Sequence, residues 1–309
     1  MPGIVVIGGS TGAMRALGEI VAGITDDFPA PICVALHIGA RPSQLPRLIG
    51  PKSKVSVEFA SDGEPLKPGH VRIAPPDHHL LVEDGHLRLS RGPRENFARP
   101  AIDPLFRTAA LSYGTGTFAA LLSGRLNDGT PGLFDVKRHG GTTIVQDPDT
   151  AEVGDMIDSA LANVSVDYCL APQDIAPLLS GLLRNKSLDR PVIEVPAMNT
   201  EADRSSPLAL TCPECGGAMR QVERGSLTEY RCHIGHRMTE DVLGQAQVAT
   251  IDETVQSLKR QLNERIEYCN KLKSSAESRH DLMLAEDWRA EREVAEARLE
   301  ELQRLFREN

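Results

Sequence analysis

The chain is poor in aromatic side chains, which make up 4% of its 309 residues and include a single Trp. Any hydrophobic core must therefore be built mainly from Val, Leu, Ile and Ala. Basic residues are also in the minority, because 34 Lys and Arg face 43 Asp and Glu and the formal net charge is −9. Proteins that bind duplex nucleic acid normally carry a basic surplus, so nucleic acid is not expected as a partner.

Long hydrophobic runs are absent as well. The longest apolar runs, such as 4–7 and 32–36, have the length of strands and fall far short of the ~20 residues that span a membrane. The first ten residues, MPGIVVIGGS, have neither the basic start nor the cleavage site of a secretory signal. The sequence therefore predicts a folded cytoplasmic protein that does not insert into membranes.

Short apolar runs alternate with helical patterns over residues 1–185. The run at 4–7 is rich in β-branched residues and is typical of a strand buried on both faces. Similar strands are predicted at 32–37, 55–60, 117–122 and 142–146. This alternation predicts an α/β domain with a doubly wound, mostly parallel sheet and helices on both faces.

Two local signals predict further structure inside this domain. The short strands at 79–82 and 86–89 are joined by a tight turn at 83–85, which predicts an antiparallel hairpin at the edge of the sheet. Asp103 stands directly before Pro104, which predicts that Asp103 is the N-cap of a helix that runs to residue 113.

The composition changes beyond residue 185. Residues 186–207 are polar and contain proline, so they are predicted to be a linker. Residues 208–240 hold a cluster of Cys and His, and residues 241–309 are helical. Apolar residues between 251 and 272 repeat at spacings of three and four, which predicts a coiled-coil-like seam on this helical arm. Leu299, Leu302 and Phe306 offer a matching stripe on a return helix, so the arm is expected to pair with itself and is a candidate for self-association.

The segment 8–12 follows the first strand directly and opens the first helix. It fits the pattern G-x-S-x-G, in which a sharp strand-to-helix turn exposes a nucleophilic serine, here Ser10. The backbone N–H groups near Thr11 and Gly12 are candidates for stabilising an oxyanion. The same glycines also fit the phosphate-binding loop of a dinucleotide fold, so this segment alone leaves both interpretations open.

The second strand favours the serine. A nicotinamide-binding fold needs an acidic residue near the end of that strand, whereas this strand ends in His37 and no Asp or Glu lies between residues 34 and 54. His37 is placed to act as the general base for Ser10. Asp128 follows the strand at 117–122 and is the candidate that orients the imidazole, because open parallel sheets build sites at their carboxyl edge. Capping the following helix is the alternative role of Asp128.

These motifs resemble the catalytic domain of the chemotaxis receptor methylesterases, the protein-glutamate methylesterase/glutaminase family, over residues 3–184. The matching stretches are GGSTGA, a strand ending in His37, DGEPLKPGHVRIAPPDHHL (62–80), RPAIDPLF (99–106), LLSGRLNDGTPGL (121–133) and VQDPDTAEVGDM (145–156). The resemblance implies a parallel-sheet α/β fold and a catalytic triad of Ser10, His37 and Asp128 that needs no cofactor. It also implies demethylation of glutamate methyl esters, or deamidation of glutamines, on a methylated receptor or other signalling protein.

The chain departs from the family pattern in two respects. Arg125 and Leu126 stand where the family usually carries Met-Gly, which puts a charge beside the oxyanion region and makes Arg125 a candidate substrate contact. No receiver domain precedes the first strand, so control through phosphorylation of the same chain is not expected. The alternative that Arg125 and Leu126 favour is a non-catalytic signalling adaptor, in which a relic hydrolase domain carries segments that bind partners.

The cysteine cluster has the spacing of a metal site. Cys212-Pro-Glu-Cys215 is followed by Cys232-His233-Ile-Gly-His236, and in a cytoplasmic chain this pattern favours metal over disulfides. Cys212, Cys215, Cys232 and His236 would close a four-ligand structural zinc site and hold together a zinc-ribbon-like module with few apolar residues. His233 is the competing fourth ligand, and His236 is preferred because the ligands of a knuckle need a turn between them.

Overall fold

The structure is a computed structural model that describes residues 3–184, 209–224 and 227–306, so the predicted linker at 186–207 lies outside the described residues. The chain forms two compact units, Met1–Leu243 and Gly244–Asn309. No described helix has the length and apolar character needed to cross a membrane.

The first unit is built around a seven-stranded sheet in the order β3-β4-β2-β1-β7-β8-β9. The strands are β1 (Ile4–Gly9), β2 (Ile32–Leu36), β3 (Ser56–Phe59), β4 (His70–Ile73), β7 (Thr117–Leu121), β8 (Thr142–Gln146) and β9 (Tyr168–Leu170). Every neighbouring pair in this sheet is parallel. The expectation of an α/β fold with a doubly wound parallel sheet is confirmed.

Helices cover both faces of the sheet. They are α1 (Ala13–Ala22), α2 (Leu45–Ile49), α3 (Ile102–Tyr113), α4 (Thr130–Arg138), α5 (Asp155–Asn163) and α6 (Pro172–Arg184). Val5 and Ile7 of β1 point into a core that includes α1, α2 and α6, whereas Ile4 and Val6 point into a second core with α3, α4 and α5. The continuous apolar run of β1 is therefore required, because both faces of this central strand are buried.

The hairpin predicted from residues 79–89 is present, but its predicted place at the edge of the main sheet is wrong. Strands β5 (His79–Glu83) and β6 (His86–Ser90) form a separate two-stranded sheet. Helix α3 binds β5, because Val82 N donates to Thr108 Oγ1 at 3.0 Å and Ser112 Oγ donates to Val82 O at 2.9 Å. Side chains of α3 thus form hydrogen bonds with the edge of β5, in place of the expected pairing with a strand of the main sheet.

The prediction that Asp103 is an N-cap is also wrong. Helix α3 begins at Ile102 with Ala101 as its N-cap, so Asp103 lies inside the first turn. Its Oδ1 instead accepts from the N–H groups of Gly129 at 3.0 Å and Gly132 at 2.7 Å, at the start of α4. The carboxyl group is turned into the domain by these tertiary partners, which the local pattern does not contain.

The first unit also contains a small C-terminal module, residues 209–243. Strands β10 (Met219–Arg224), β11 (Leu227–Cys232) and β12 (Arg237–Thr239) form an antiparallel sheet in that order. Its core is a small cluster of buried residues: Cys212, Met219, Tyr230, Cys232, Met238, Val242 and Leu243. Leu126, in the segment that follows β7, packs against this cluster.

The second unit is a pair of helices. Helix α7 (Glu240–Ser278) enters it from the module, and α8 (Leu282–Leu305) returns, as the predicted arm requires. Arg265 of α7 donates to Glu291 of α8 at 3.1 Å and lies 5.7 Å from the Trp288 ring centre. The predicted seam is buried only in part, because Ile251 and Leu258 remain 55% and 44% exposed. A pair of helices buries one narrow stripe, so residues that drift to its margin stay accessible.

Candidate active site

Ser10 lies in the turn between β1 and α1. Its N–H donates to Ser123 O at 2.9 Å, which ties the turn to the segment that follows β7. Gly12 has a φ of 81°, a conformation that favours glycine, and a Cβ there would lie 2.5 Å from Glu152 Cβ. The glycine-rich pattern is therefore a steric requirement of this turn, and Ser10 itself remains half-buried.

Two backbone donors lie directly after Ser10. Helix α1 begins at Ala13, whose N–H donates to Ser10 O at 3.1 Å. The N–H groups of Thr11 and Gly12 donate no hydrogen bond within the part of the chain that the structure describes. They are the donors of this turn that remain for a bound oxyanion.

His37 follows β2 at the same level of the sheet as Ser10. Gly9 of β1 pairs with Leu36 of β2, and His37 N donates to Gly9 O at 3.2 Å. Ser10 and His37 are thus the next residues along two neighbouring parallel strands, which lie about 4.8 Å apart. Ser10 Oγ and His37 are not hydrogen-bonded in this structure. In enzymes without bound substrate, a hydrogen bond of this kind is often long and shortens when substrate binds.

Asp128 completes this group from the end of the neighbouring strand β7. Its Oδ2 lies 2.6 Å from His37 Nε2, with Asp128 buried and His37 22% exposed. An ionised carboxylate only accepts hydrogen bonds, so the proton of a neutral imidazole lies on Nε2. Nδ1 then carries the lone pair that is available to Ser10.

The start of helix α3 holds the Asp128 carboxylate. Asp128 Oδ2 accepts from Ile102 N at 2.7 Å, and Oδ1 lies 3.4 Å from Asp103 N. Burial alone would raise the pKa of Asp128, but the hydrogen bond and charge of His37 and the N–H of Ile102 outweigh it and lower that pKa below its usual range. Asp128 therefore does cap a helix, although not the following one, and it does so while it contacts His37.

A second buried carboxyl group, that of Asp103, lies beside Asp128. Asn96 Nδ2 donates to Asp103 Oδ2 and to Asp128 Oδ1, each at 3.1 Å. Burial, and then the charge of Asp128, raise the pKa of Asp103 well above its usual value. The pKa values of the two carboxyl groups are thus shifted in opposite directions, and the Asn96 amide joins the two groups.

Two residues of this site carried no signal in the sequence. Asn96 lies in an irregular loop, where a single Asn is not distinctive. Ser123 is fully buried, and its Oγ lies 2.8 Å from Thr11 O and accepts from Val153 N at 3.0 Å. Both residues act through partners that are distant in the chain, so spacing alone does not reveal them.

The remaining predicted site residue, Arg125, is exposed after β7. It makes no hydrogen bond or ion pair within the described ranges, so a substrate contact through its guanidinium stays a prediction. A cleft of about 380 Å³ opens beside His37, and its walls include Asn96, Phe97 and Arg99. Arg99 is held there by Asp77, to which it donates at 2.6 and 2.9 Å.

The predicted zinc ligands come together in the module. Cys212, Cys215, Cys232 and His236 place one ligand atom each within 4.8 Å of one another. His233, the alternative ligand, is not in this group and lies instead against Gly217. Three thiols and one imidazole are a donor set that structural zinc sites use, and zinc itself stays a prediction.

A family model described as CheB methylesterase matches residues 5–179 of the chain. The match includes Ser10, His37 and Asp128 and ends before the cysteine cluster. It covers more than half of the sequence.

Individual proteins agree with this match. The chain is 39% identical over 183 residues to a putative protein-glutamate methylesterase/protein-glutamine glutaminase of Leptospira interrogans, covering 59% of this chain and 95% of that protein. It is 40% identical over 186 residues to the protein-glutamate methylesterase/protein-glutamine glutaminase of Thermotoga maritima, covering 58% of this chain and about half (54%) of the relative. The crystal structure of the Thermotoga maritima CheB methylesterase catalytic domain superposes with a TM-score of 0.57 and 38% identity, covering 59% of this chain and 99% of that one.

Proposed function

The chain belongs to the CheB methylesterase family, and from this premise we propose that it is a serine hydrolase that removes methyl esters from glutamyl side chains of a protein. The proposed substrate is a methylated chemoreceptor or a similar signalling protein. The same site would deamidate glutamine side chains, because an amide presents the same carbonyl group to the nucleophile. Ser10, His37 and Asp128 carry the reaction.

The first half of the reaction forms an acyl-enzyme. His37 Nδ1 takes the proton of Ser10 as Ser10 Oγ attacks the ester carbonyl carbon. The negative charge that develops on the carbonyl oxygen is stabilised by the N–H groups of Thr11 and Gly12. The protonated His37 then gives its proton to the methoxy group, and methanol leaves.

The second half returns the free enzyme. His37 takes a proton from water as the water oxygen attacks the acyl carbon. His37 then gives this proton to Ser10 Oγ as the bond between the acyl carbon and Ser10 Oγ breaks, and the glutamic acid product loses its remaining proton to solvent to become a carboxylate. Asp128 stays ionised throughout and stabilises the imidazolium that forms twice in the cycle. For a glutamine substrate the first leaving group is ammonia.

One observation carries the proposal: the 2.6 Å contact between His37 Nε2 and Asp128 Oδ2, next to a serine at the matching position of the adjacent strand. A lone histidine at a strand end has many uses, but a buried carboxylate fixes the tautomer of this one. Because this contact holds the proton on Nε2, Nδ1 is the basic nitrogen of His37 that is available to Ser10.

The non-catalytic adaptor is not favoured. It was motivated by Arg125 and Leu126, and Leu126 has a packing role because it contacts the buried cluster of the C-terminal module. This contact offers a structural reason for the departure of Leu126 from the family pattern, one that does not require the loss of activity.

Methanol release measures the proposed activity directly. The wild-type chain should release methanol from a peptide that carries a glutamate γ-methyl ester, and from a methylated receptor fragment. Ser10→Ala should lower kcat at least about 1,000-fold, because removing a nucleophile removes the covalent path. Ser61→Ala is the matched control, since Ser61 is exposed and outside the site. Equal release by wild type and Ser10→Ala contradicts the proposal.

A further inference from the structure

We propose that Cys212, Cys215, Cys232 and His236 bind one Zn²⁺, and that the metal holds the C-terminal module as a brace that positions Asp128 through Asn96. This inference rests on the proposed function for its catalytic consequence, whereas the metal site and the brace stand on the geometry described below. Zinc would then be a structural cofactor of the active site, although it takes no part in the chemistry.

The distances between the ligand atoms fit a tetrahedral zinc ion. The Sγ atoms of Cys215 and Cys232 are 3.7 Å apart, and His236 Nδ1 lies 3.4 Å from Cys232 Sγ and 3.7 Å from Cys212 Sγ. Zn–S bonds of about 2.3 Å and Zn–N bonds of about 2.0 Å place two sulfurs about 3.8 Å apart, and sulfur and nitrogen about 3.5 Å apart. Four protein ligands leave no open position, so the site is structural.

A carboxylate supports the histidine ligand from behind. With Nδ1 directed at the other ligand atoms, His236 Nε2 lies 3.4 Å from Glu214 Oε2. Metal-bound histidines commonly donate their second N–H to a carboxylate, which fixes the ring. Glu214 comes from the turn between Cys212 and Cys215, and its Oε1 is buried without a hydrogen-bond partner among the described residues.

The module needs such a ligand because its core is small. The buried cluster has seven residues, of which Cys212 and Cys232 are themselves metal ligands. A segment of this size buries too little apolar surface to offset the conformational entropy lost on folding. Metal binding supplies that free energy in small domains of this kind.

The metal site adjoins the strand that contacts the active-site loop. His236 directly precedes β12, and the next residue, Arg237, accepts a hydrogen bond at its carbonyl from Asn96 N at 2.9 Å. Two residues further on, Thr239 N donates to Asn96 Oδ1 at 3.2 Å. Both Asn96 contacts to the module are therefore made within three residues of a metal ligand.

Asn96 and the following Phe97 both lie in the left-handed region of the backbone, which is unfavourable for Phe97 in particular. Asn96 and Phe97 have φ values of 50° and 59°, the left-handed region that non-glycine residues seldom adopt. Such backbone persists only where the surroundings determine it. The two hydrogen bonds from β12 supply that constraint, and they leave Asn96 Nδ2 directed at Asp128 and Asp103.

The module is fastened on the other side of Asp128 as well. Thr239 Oγ1 donates to Asn127 Oδ1 at 2.6 Å, and Asn127 Nδ2 donates to Asp241 Oδ2 at 3.0 Å. Leu126, with a φ of 66°, packs against the module core. Asp128 thus follows Leu126 and Asn127, which both contact the module, and it accepts a hydrogen bond from Asn96, which also contacts the module.

Metal occupancy should therefore set the position of Asp128 and, through it, of His37. Loss of zinc releases β12, which releases Asn96 and the loop before Asp128. The expected result is a fall in kcat of about tenfold to a hundredfold, the range for losing a hydrogen bond to a charged group, with little change in KM. Asn96 is a positioning residue in this account, because it contacts Asp128 and not the substrate.

The test uses the full chain and three measurements. Elemental analysis should find about one zinc per chain in the wild type and in Cys169→Ser, whose cysteine is exposed and outside the cluster, and none in Cys212→Ser/Cys215→Ser. Removing zinc from the wild type with a chelator should lower kcat on the methyl-ester peptide, and adding ZnCl₂ back should restore it. In Asn96→Ala, zinc should stay bound while kcat is already low, and chelation should lower it little further.

A proton NMR signal separates this inference from the proposed function. The short hydrogen bond between His37 and Asp128 should give a downfield imidazole proton in the zinc-loaded chain that weakens or moves when zinc is removed and returns on add-back. A chain without stoichiometric zinc, or a zinc-free chain with the same NMR signal and full Ser10-dependent hydrolysis, overturns the inference. A zinc-loaded chain without Ser10-dependent hydrolysis overturns the proposed function instead, and the metal dependence of the NMR signal then still decides the brace.

Discussion

Asp103 and Asp128 are two buried carboxyl groups that share one donor, the side-chain amide of Asn96, at 3.1 Å from an oxygen of each. Their surroundings shift the pKa values of the two carboxyl groups in opposite directions. For Asp128, the hydrogen bond and charge of His37 and the N–H of Ile102 outweigh burial and lower the pKa, whereas burial and then the charge of Asp128 raise the pKa of Asp103. The surroundings therefore favour the charged form of the carboxyl group that contacts the histidine.

This relationship predicts a pH dependence of stability that reverses between the two residues. The pKa of Asp103 is raised in the folded state, so the folded chain keeps a proton that the unfolded chain releases above about pH 3.9, and stability falls as pH rises from there towards the folded pKa. Asp103→Asn should remove this fall, and urea unfolding at pH 5, 7 and 9 measures it. Asp128→Asn is the contrast: the pKa of Asp128 is lowered, so this variant should lose stability that the wild type holds above about pH 3.9. A steeper fall with pH in Asp103→Asn contradicts the assignment.

The three side chains proposed to be catalytic, those of Ser10, His37 and Asp128, should act as a unit. Asp128→Asn should fold and yet lower kcat by about 10,000-fold, because an amide no longer fixes the His37 tautomer. His37→Ala should match the loss seen in Ser10→Ala, and combining the two should cost little more. Steady-state kinetics on the methyl-ester peptide decide this, and losses that multiply in the double variant would show that the residues act independently.

Gly124 should be required for the position of the nucleophile. A Cβ at Gly124 would lie 2.0 Å from Met156 Sδ and 2.8 Å from Ser10 Cβ, so Gly124→Ala should displace Ser10. A displacement of this size should lower kcat about a hundredfold. Gly18→Ala is the control, because nothing lies within 4 Å of a Cβ there and the position is inside α1. A wild-type kcat in Gly124→Ala would show that a Cβ at this position does not displace Ser10.

The side chain of Leu126 should stabilise the fold by packing, whereas its left-handed backbone should destabilise it. Leu126→Ala keeps the left-handed backbone and loses the contact with the module core, whereas Leu126→Gly loses the same contact but relieves the backbone. Both variants should unfold at lower urea concentration than the wild type, with Gly about 1 kcal/mol less destabilising than Ala. An Ala variant as stable as the Gly variant would show that the backbone is not strained.

The helical arm should matter for protein substrates and not for small ones. Deleting residues 245–309 removes the second compact unit and leaves the first intact. Hydrolysis of the methyl-ester peptide should be unchanged, whereas activity on a methylated receptor fragment should fall severalfold as recruitment or assembly is lost. Val248 and Ile251 are exposed apolar residues of α7 that suit such contacts. Light scattering reports whether the deletion also changes the number of chains per particle, and unchanged activity with an unchanged number of chains would exclude both roles for the arm.

The sequence by itself determined the parts of this protein that depend on neighbours in the chain. A strand followed at once by glycines and Ser10 specifies the turn, because only glycine tolerates the backbone there. The order of strands and helices specifies a parallel sheet, and a parallel sheet brings the residues after its strands to one edge, which is how Ser10, His37 and Asp128 could be selected. The cysteine cluster is equally local, since the spacing of two residues between Cys212 and Cys215 is what supports the zinc prediction.

Tertiary structure alone decided which polar groups meet. Asp103 looked like a helix cap because the local pattern contains no trace of Gly129 and Gly132, which bind its carboxylate. Asn96 carried no signal, because its role comes from β12, which lies far along the chain, and from a left-handed backbone that those contacts impose. The hairpin could be predicted from its turn, but its packing partner could not, because the side chains of α3, and not a strand of the main sheet, form hydrogen bonds with it. In each case a polar group that folding removes wholly or partly from water pairs with a partner from a distant part of the chain, because an unpaired buried polar group is costly.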